Sequence, residues 1–238
     1  MNKLIVIVPA YNEKENIEEL VRQWHPIVED KEEGSRLVVI NDGSTDDTLK
    51  ILESLKEKYP RLGVIDKKNG GHGPAVYCGY KYAVDNGADY VFHTDSDLQT
   101  DPAEFKDFWD KREDYDAIFG FRRSRGDGFG RAVVEKVVCI LLKLFFGVSV
   151  PDANAPFRLY KAESLKGYLE MIEPDYALPN IILTAFYKYN KNKITFMPIS
   201  FEARKCGKQS MNLKKIFRVG VKSLADFRRY RKVIRNGN

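Results

Sequence analysis

Five consecutive apolar residues, Leu4-Ile5-Val6-Ile7-Val8, leave no polar side for water to reach. A β-branched run of this kind is a strand covered on both faces, the hallmark of a parallel sheet between helical layers. Leu37-Val38-Val39-Ile40 repeats the pattern, and Gly63-Val64-Ile65, Tyr90 to Thr94 and Asp116-Ala117-Ile118-Phe119 extend it. Between them, Ile17, Leu20, Val21, Trp24 and Val28 form one helical stripe and Ile51, Leu52, Leu55 and Tyr59 another. A third helix is expected from Pro74, suited to a first helical position, to about Asn86. Strands alternating with helices predict an α/β chain, and in such sheets ligands sit at the carboxyl ends of the strands.

Those ends carry Pro9-Ala-Tyr-Asn-Glu13, Asn41-Asp42-Gly-Ser-Thr-Asp46, Asn69-Gly-Gly-His-Gly73-Pro74 and Asp95-Ser96-Asp97-Leu98-Gln99. The last is the most informative. In an extended stretch, Asp95, Asp97 and Gln99 alternate onto one side of the backbone. Three oxygen donors at a strand end suit a hard divalent cation, Mg²⁺ or Mn²⁺. A polar turn is the simpler account of an isolated Asp-x-Asp, and three further motifs at the same edge outweigh it. The glycine-rich loop lacks the order of a dinucleotide fingerprint and of a P-loop. It still sets His72 near a helix N-terminus, a natural neighbour for phosphate.

Other chemistries find little support. His25, His72 and His93 have no metal-ligand spacing; His93 is expected in the core and His25 on an exposed helix face. No serine has a nucleophile's setting. Cys78, Cys139 and Cys206 are scattered and odd in number, which argues against a disulfide framework and for a reducing compartment. With 43% hydrophobic and 31% charged residues among 238, the chain has enough apolar material for a real core. Met1-Asn2-Lys3 leads straight into a strand, so no signal peptide is expected. No window reaches the roughly 20 apolar residues of a spanning helix.

The second half is less regular. Gly130 to Phe146 reads as a helix whose charged residues, Arg131, Glu135, Lys136 and Lys143, fall within an arc of about 140°. Its wide apolar face suits either the core or a membrane interface. Phe157-Arg158-Leu159-Tyr160 and Ile194 to Phe201 read as strands, and Leu213 to about Asn236 as an amphipathic helix. From Arg204 onward there are twelve Lys/Arg against one acid, Asp226. The tail therefore carries +11 and, the whole chain being +5, the preceding residues carry −6. Such a tail suits an anionic surface. With no nucleic-acid-binding motif and an acidic body, nucleic acid is not an expected partner.

Taken in order, the four strand-end motifs resemble family 2 glycosyltransferases of the GT-A fold, whose central sheet is mostly parallel. Asp95-Ser-Asp-Leu-Gln99, Asp152 to Arg158 with Tyr160, and Arg204-Lys-Cys-Gly-Lys-Gln-Ser210 are similar to the dolichyl-phosphate mannose synthase and polyprenyl-phosphate glycosyltransferase branch. The resemblance spans residues 3 to about 212. It implies a glycosyltransferase domain over 1–212, with 213–238 a basic helix that meets a membrane or a second subunit.

The resemblance further implies that Pro9, Tyr11, Glu13, Asp42, His72, Asp95, Ser96, Arg204 and Ser210 bind a UDP- or GDP-linked sugar. Asp95, Asp97 and Gln99 would hold the Mg²⁺ or Mn²⁺, and Asp97, Arg122 and Arg131 would be catalytic, the arginines receiving an acceptor phosphate. The implied reaction is inverting transfer to a polyprenyl phosphate at the inner membrane face. The alternative is a saccharide hydroxyl acceptor, with Glu135, Asp152 or Asp127 as base. Three places depart from the pattern: Asn41 replaces a second aspartate, Ala155-Pro156 replaces Ser-Gly, and Glu135 stands where a serine is usual. An acid at 135 would repel a phosphate. The membrane helices that follow in many bacterial relatives are also missing from this sequence.

Overall fold

In the computed structural model, residues 2–123, 129–203 and 213–236 are described. Arg204 and Ser210 lie outside them, as does Asp127, and of Arg131 only the helical backbone is described.

One seven-stranded sheet runs through the molecule in the order β3-β2-β1-β4-β6-β5-β7. The strands are β1 Leu4–Ala10, β2 Arg36–Asn41, β3 Leu62–Asp66, β4 Tyr90–Thr94, β5 Ala117–Arg122, β6 Phe157–Lys161 and β7 Ile194–Ile199. The pairs β1–β2, β1–β4, β2–β3 and β5–β7 are parallel, and β6 runs antiparallel between β4 and β5. Every residue of β1 is buried, as the uninterrupted apolar run predicts. Its alternate residues serve two cores: Ile5 and Ile7 face one, Leu4, Val6 and Val8 the other.

Helices α1 Ile17–Glu29 and α2 Thr48–Leu55 cover the second face with α4 Phe105–Asp110, and there Trp24 stacks on Phe92 at 5.4 Å. Helices α3 His72–Asp85, α5 Phe129–Phe146, α6 Ala162–Leu169, α7 Pro179–Tyr189 and α8 Leu213–Asn236 cover the first. Helix α3 begins two residues before Pro74. Proline tolerates any place in a first turn, because the N–H it lacks has no partner there.

One helix of this layer, α7, carries no sequence signal of the usual kind. Every residue from Pro179 to Tyr187 is buried, so α7 has no polar face and hence no stripe to read. The prediction for His25 also fails. It is 1% exposed, stacked edge-on against Tyr59, and its Nε2 accepts the backbone N–H of Arg61 at 3.1 Å. Helix α1 runs on through Pro26 and turns the histidine inward.

Helix α5 divides its apolar face. Leu142 and Phe146 enter the core, and Phe145 and Phe146 meet Phe227 of α8. Val133, Val137, Ile140 and Leu144 stay on the surface, Leu144 being 70% exposed. No helix among the described residues is long and apolar enough to cross a membrane.

Candidate active site

Three of the four strand-end motifs are wired to one another by hydrogen bonds. Asn12, in the left-handed region at φ 55°, accepts the Thr45 N–H on Oδ1 at 2.8 Å, and its own N–H reaches Ser44 Oγ at 3.0 Å. Asparagine tolerates that backbone conformation better than most residues. Thr48 Oγ1 accepts the Glu13 N–H at 2.9 Å, and Glu13 holds Asn16 Nδ2 at 2.7 Å. The loops after β1 and β2 thus form one unit. Within it Pro9, paired with Ile40, and Glu13 are buried, while Tyr11 is open to solvent at 39%.

Asp42 joins the second loop to the third. Its Oδ1 accepts from Lys67 Nζ at 2.6 Å and from Gly70 N at 2.9 Å, and its Oδ2 from Gly71 N at 2.7 Å. Gly43 and Gly71 take positive φ here, and a Cβ on Gly43 would fall 2.7 Å from the backbone nitrogen of Asn69. The carboxylate that sequence assigns to the nucleotide therefore also holds the glycine-rich loop in place.

Residues 95–99 do not continue as a strand. Leu98 has φ 57°, and the Gln99 N–H turns back to Asp97 Oδ1 at 3.3 Å. The alternation that put three oxygens on one side therefore does not exist; Asp97 closes a turn there instead. Asp95 and Asp97 keep partial exposure, and Ser96 is buried. Gln99 donates from Nε2 to Glu202 O at 2.5 Å and accepts the Glu202 N–H at 2.8 Å, pinning the chain just before Arg204.

Sequence spacing missed a cluster here. His72 Nε2 lies 3.8 Å and His93 Nε2 3.4 Å from Asp95 Oδ1. Three residues from two elements converge, and no linear pattern announces it. Burial holds the His93 imidazole below its ordinary value, against the pull of Asp95. Burial alone would raise the Asp95 carboxyl, but His72, His93 and Arg122 together hold it below the usual range. A partly exposed carboxylate pair beside two imidazole nitrogens, with Asp95 Oδ1 buried and lacking a hydrogen-bond partner, fits a divalent cation.

At the next strand end, Arg122 is engaged. Its Nε and Nη2 meet Asp152 at 2.8 and 3.0 Å, Glu135 lies at 3.5 Å, and the guanidinium sits 5.1 Å from the Phe201 ring. Glu135 also accepts the Ala153 N–H at 2.7 Å, so the unusual acid shapes the loop before β6. Burial and the two acids push the Cys139 thiol up to about 12, which leaves it unreactive. Arg158, fully buried, spans Ala153 O, Ala155 O, Asn180 O and Thr184 Oγ1 and holds that loop from beneath.

Fold and rim together define a GT-A nucleotide-diphospho-sugar transferase architecture. The glucosyl-3-phosphoglycerate synthase of Mycobacterium tuberculosis, solved with Mn²⁺, UDP and glucosyl-3-phosphoglycerate, superposes with a TM-score of 0.68. It is 19% identical and covers 96% of this chain and 80% of its own. S. aureus TarS residues 1–349 with UDP-GlcNAc gives 0.62 at 22% identity, over 94% of this chain and 66% of the other. Such likeness speaks for the fold. The Glycosyl transferase family 2 model matches residues 5–169, and the chain belongs to that family. The undecaprenyl-phosphate 4-deoxy-4-formamido-L-arabinose transferase of Proteus mirabilis is 28% identical over 182 residues, 75% of this chain and 55% of that protein. An uncharacterized glycosyltransferase of Synechocystis sp. is 25% identical over 228 residues, 94% of this chain and 69% of the other. The chain thus spans little more than half the length of the first of these.

Proposed function

We propose that this chain transfers a sugar, with inversion and with the help of Mg²⁺ or Mn²⁺, from a nucleotide-sugar to a polyprenyl phosphate. One observation carries the proposal: three polar strand ends are hydrogen-bonded into one rim, and the fourth brings Asp95 to it beside His72. The relatives named as undecaprenyl-phosphate transferases support the acceptor, and the neighbours solved with Mn²⁺, UDP and UDP-GlcNAc support the donor.

Pro9, Tyr11, Glu13 and Asp42 would cradle the nucleoside, with His72 and Ser96 beside its diphosphate. Asp95, Asp97 and Gln99 would hold the cation. The bound ion neutralises the charge that develops on the departing nucleoside diphosphate. Asp97 holds the turn that aims these oxygens. Arg204 and Ser210 would close over the donor. Arg122 and Arg131 would take the acceptor phosphate, which is already ionised near neutral pH and requires no strong base. Because Arg122 is paired with Asp152, a phosphate has to compete for it.

Incubation with radiolabelled nucleotide-sugar, undecaprenyl phosphate and Mn²⁺ is expected to move label into the organic phase. Asp97→Ala should lower that rate by about 100-fold or more. An unchanged rate in the variant would remove Asp97 from catalysis.

A second reading is favoured by the juxtaposition of Glu135 and Asp152 at the same rim. Either carboxylate could serve as base for a saccharide hydroxyl. Label appearing only with saccharide acceptors would select it.

We further place the enzyme at the cytoplasmic membrane face, held by the exposed stripe of α5 and the basic residues of α8. Each basic side chain near an anionic surface contributes about 1 kcal/mol.

A further inference from the structure

His93 occupies the position two residues before Asp95, at the foot of the turn, and it is wholly buried. Its Nδ1 faces the Tyr80 hydroxyl at 3.2 Å, and that hydroxyl donates to Asn180 Oδ1 at 2.8 Å. With the tyrosine proton spent on Asn180, the phenol oxygen can accept from His93 Nδ1–H, while the Asn180 amide, 3.4 Å from the same nitrogen, can donate to it, so either tautomer has a partner. A metal selects the first tautomer, which presents the Nε2 lone pair. Across a 3.4 Å gap stands Asp95 Oδ1, a second acceptor, and both atoms are buried without a hydrogen-bond partner. In that tautomer two buried acceptors face each other, and a cation between them would satisfy both.

The gap has a meaningful width. It exceeds the roughly 2.9 Å of an N–H···O hydrogen bond. Two ligands each about 2.1 Å from a tetrahedral ion stand about 3.4 Å apart. His72 Nε2 completes a triangle whose three ligand atoms lie within 4.8 Å of one another, and its side chain, half exposed, is free to swing inward. A ligating histidine typically donates its other N–H to an oxygen, and the Tyr80 hydroxyl oxygen stands 3.2 Å from Nδ1.

We propose that His72, His93 and Asp95 form a mixed nitrogen and oxygen site for a borderline divalent transition metal, such as Co²⁺ or Zn²⁺. Such a donor set prefers these ions to Mg²⁺, which favours oxygen alone. The proposal rests on the reading of the rim only in sharing Asp95. Asp97 and Gln99 serve the diphosphate's ion and are not required by this site. An ion held here would fix the Asp95 carboxylate before any nucleotide arrives.

The test is Co²⁺ titration of the metal-stripped full-length chain without nucleotide, followed by visible d–d absorption. One equivalent is expected to bind, with the spectrum of a nitrogen-containing site, and to persist in a large excess of Mg²⁺. His72→Ala should abolish that spectrum. Tyr80→Phe, which keeps the shape of the core, should weaken binding by about 10-fold. Asp97→Asn should bind Co²⁺ as the parent does, whatever its effect on sugar transfer. Failure to bind Co²⁺, displacement by equimolar Mg²⁺, or an unchanged spectrum in His72→Ala would overturn the proposal. Loss in Asp97→Asn equal to that in His72→Ala would show a single diphosphate-linked site and leave the transfer reading standing.

Discussion

Arg122 shows how much one side chain can be asked to do. Its fork closes on Asp152 in bidentate fashion, a geometry lysine cannot copy. Arg122→Lys should therefore keep the charge and lose alignment. Its effect on acceptor KM is expected to exceed that on donor KM, measured by varying each substrate in turn. Buried imidazoles set the response to acid. His25 and His93 are both held below their ordinary value by burial. As pH falls through about 6.5 the unfolded chain binds protons that the folded chain refuses, so stability present above that pH drains away below it. The Tm should fall between about pH 7.5 and about pH 5.5; a flat or rising Tm would contradict the assignment. At this scale sequence was an uneven guide. The burial of His93 was legible from its strand, whereas that of His25 depended on how α1 meets Tyr59 and Arg61, a long-range packing fact. The approach of His72 to Asp95 needed the third dimension altogether.

Apolar stripes made α1 and α2 legible, and a helix buried all round offered none. Strands β1 and β2 were plain because an apolar run of that length fits few other structures, and α7 was invisible because it is wet nowhere. Helix α3 meets the loop before α7 at Gly73, where a Cβ would come within 2.4 Å of the carbonyl oxygens of Tyr176 and Ala177. Backbone cannot step aside as a side-chain tip can, so Gly73→Ala should cost roughly 1–3 kcal/mol, read from denaturant unfolding. Helix α5 offers the opposite case. Ile140 and Leu144 are 58% and 70% exposed, so Ile140→Glu with Leu144→Glu should change stability by less than about 1 kcal/mol. The same pair should reduce co-sedimentation with anionic liposomes, which high salt should also reverse. Unaltered sedimentation would remove α5 from the membrane contact.

Across the whole molecule, the sheet separates two cores and gathers its polar ends on one rim. Ligand binding to that rim should stabilise the entire fold by mass action: UDP with Mn²⁺ at about 100 times its Kd should contribute about 2.7 kcal/mol. A thermal-shift series comparing UDP- and GDP-sugars would show which nucleoside is preferred, and no shift with any of them would argue against a donor site.

The reversed strand β6 has a consequence of another kind. A parallel strand delivers to the rim the loop that follows it, and an antiparallel strand delivers the loop that precedes it. Since Phe157 pairs with Thr94, the loop of Asp152 to Pro156 arrives beside the Asp95 turn from a distant part of the chain. Of the residues proposed for the donor, all but Arg204 and Ser210 come from one contiguous stretch, 9–99, and the Arg122, Glu135 and Asp152 cluster comes from another. A recombinant joining this first stretch to the second stretch of a relative should keep its nucleotide preference while exchanging its acceptor.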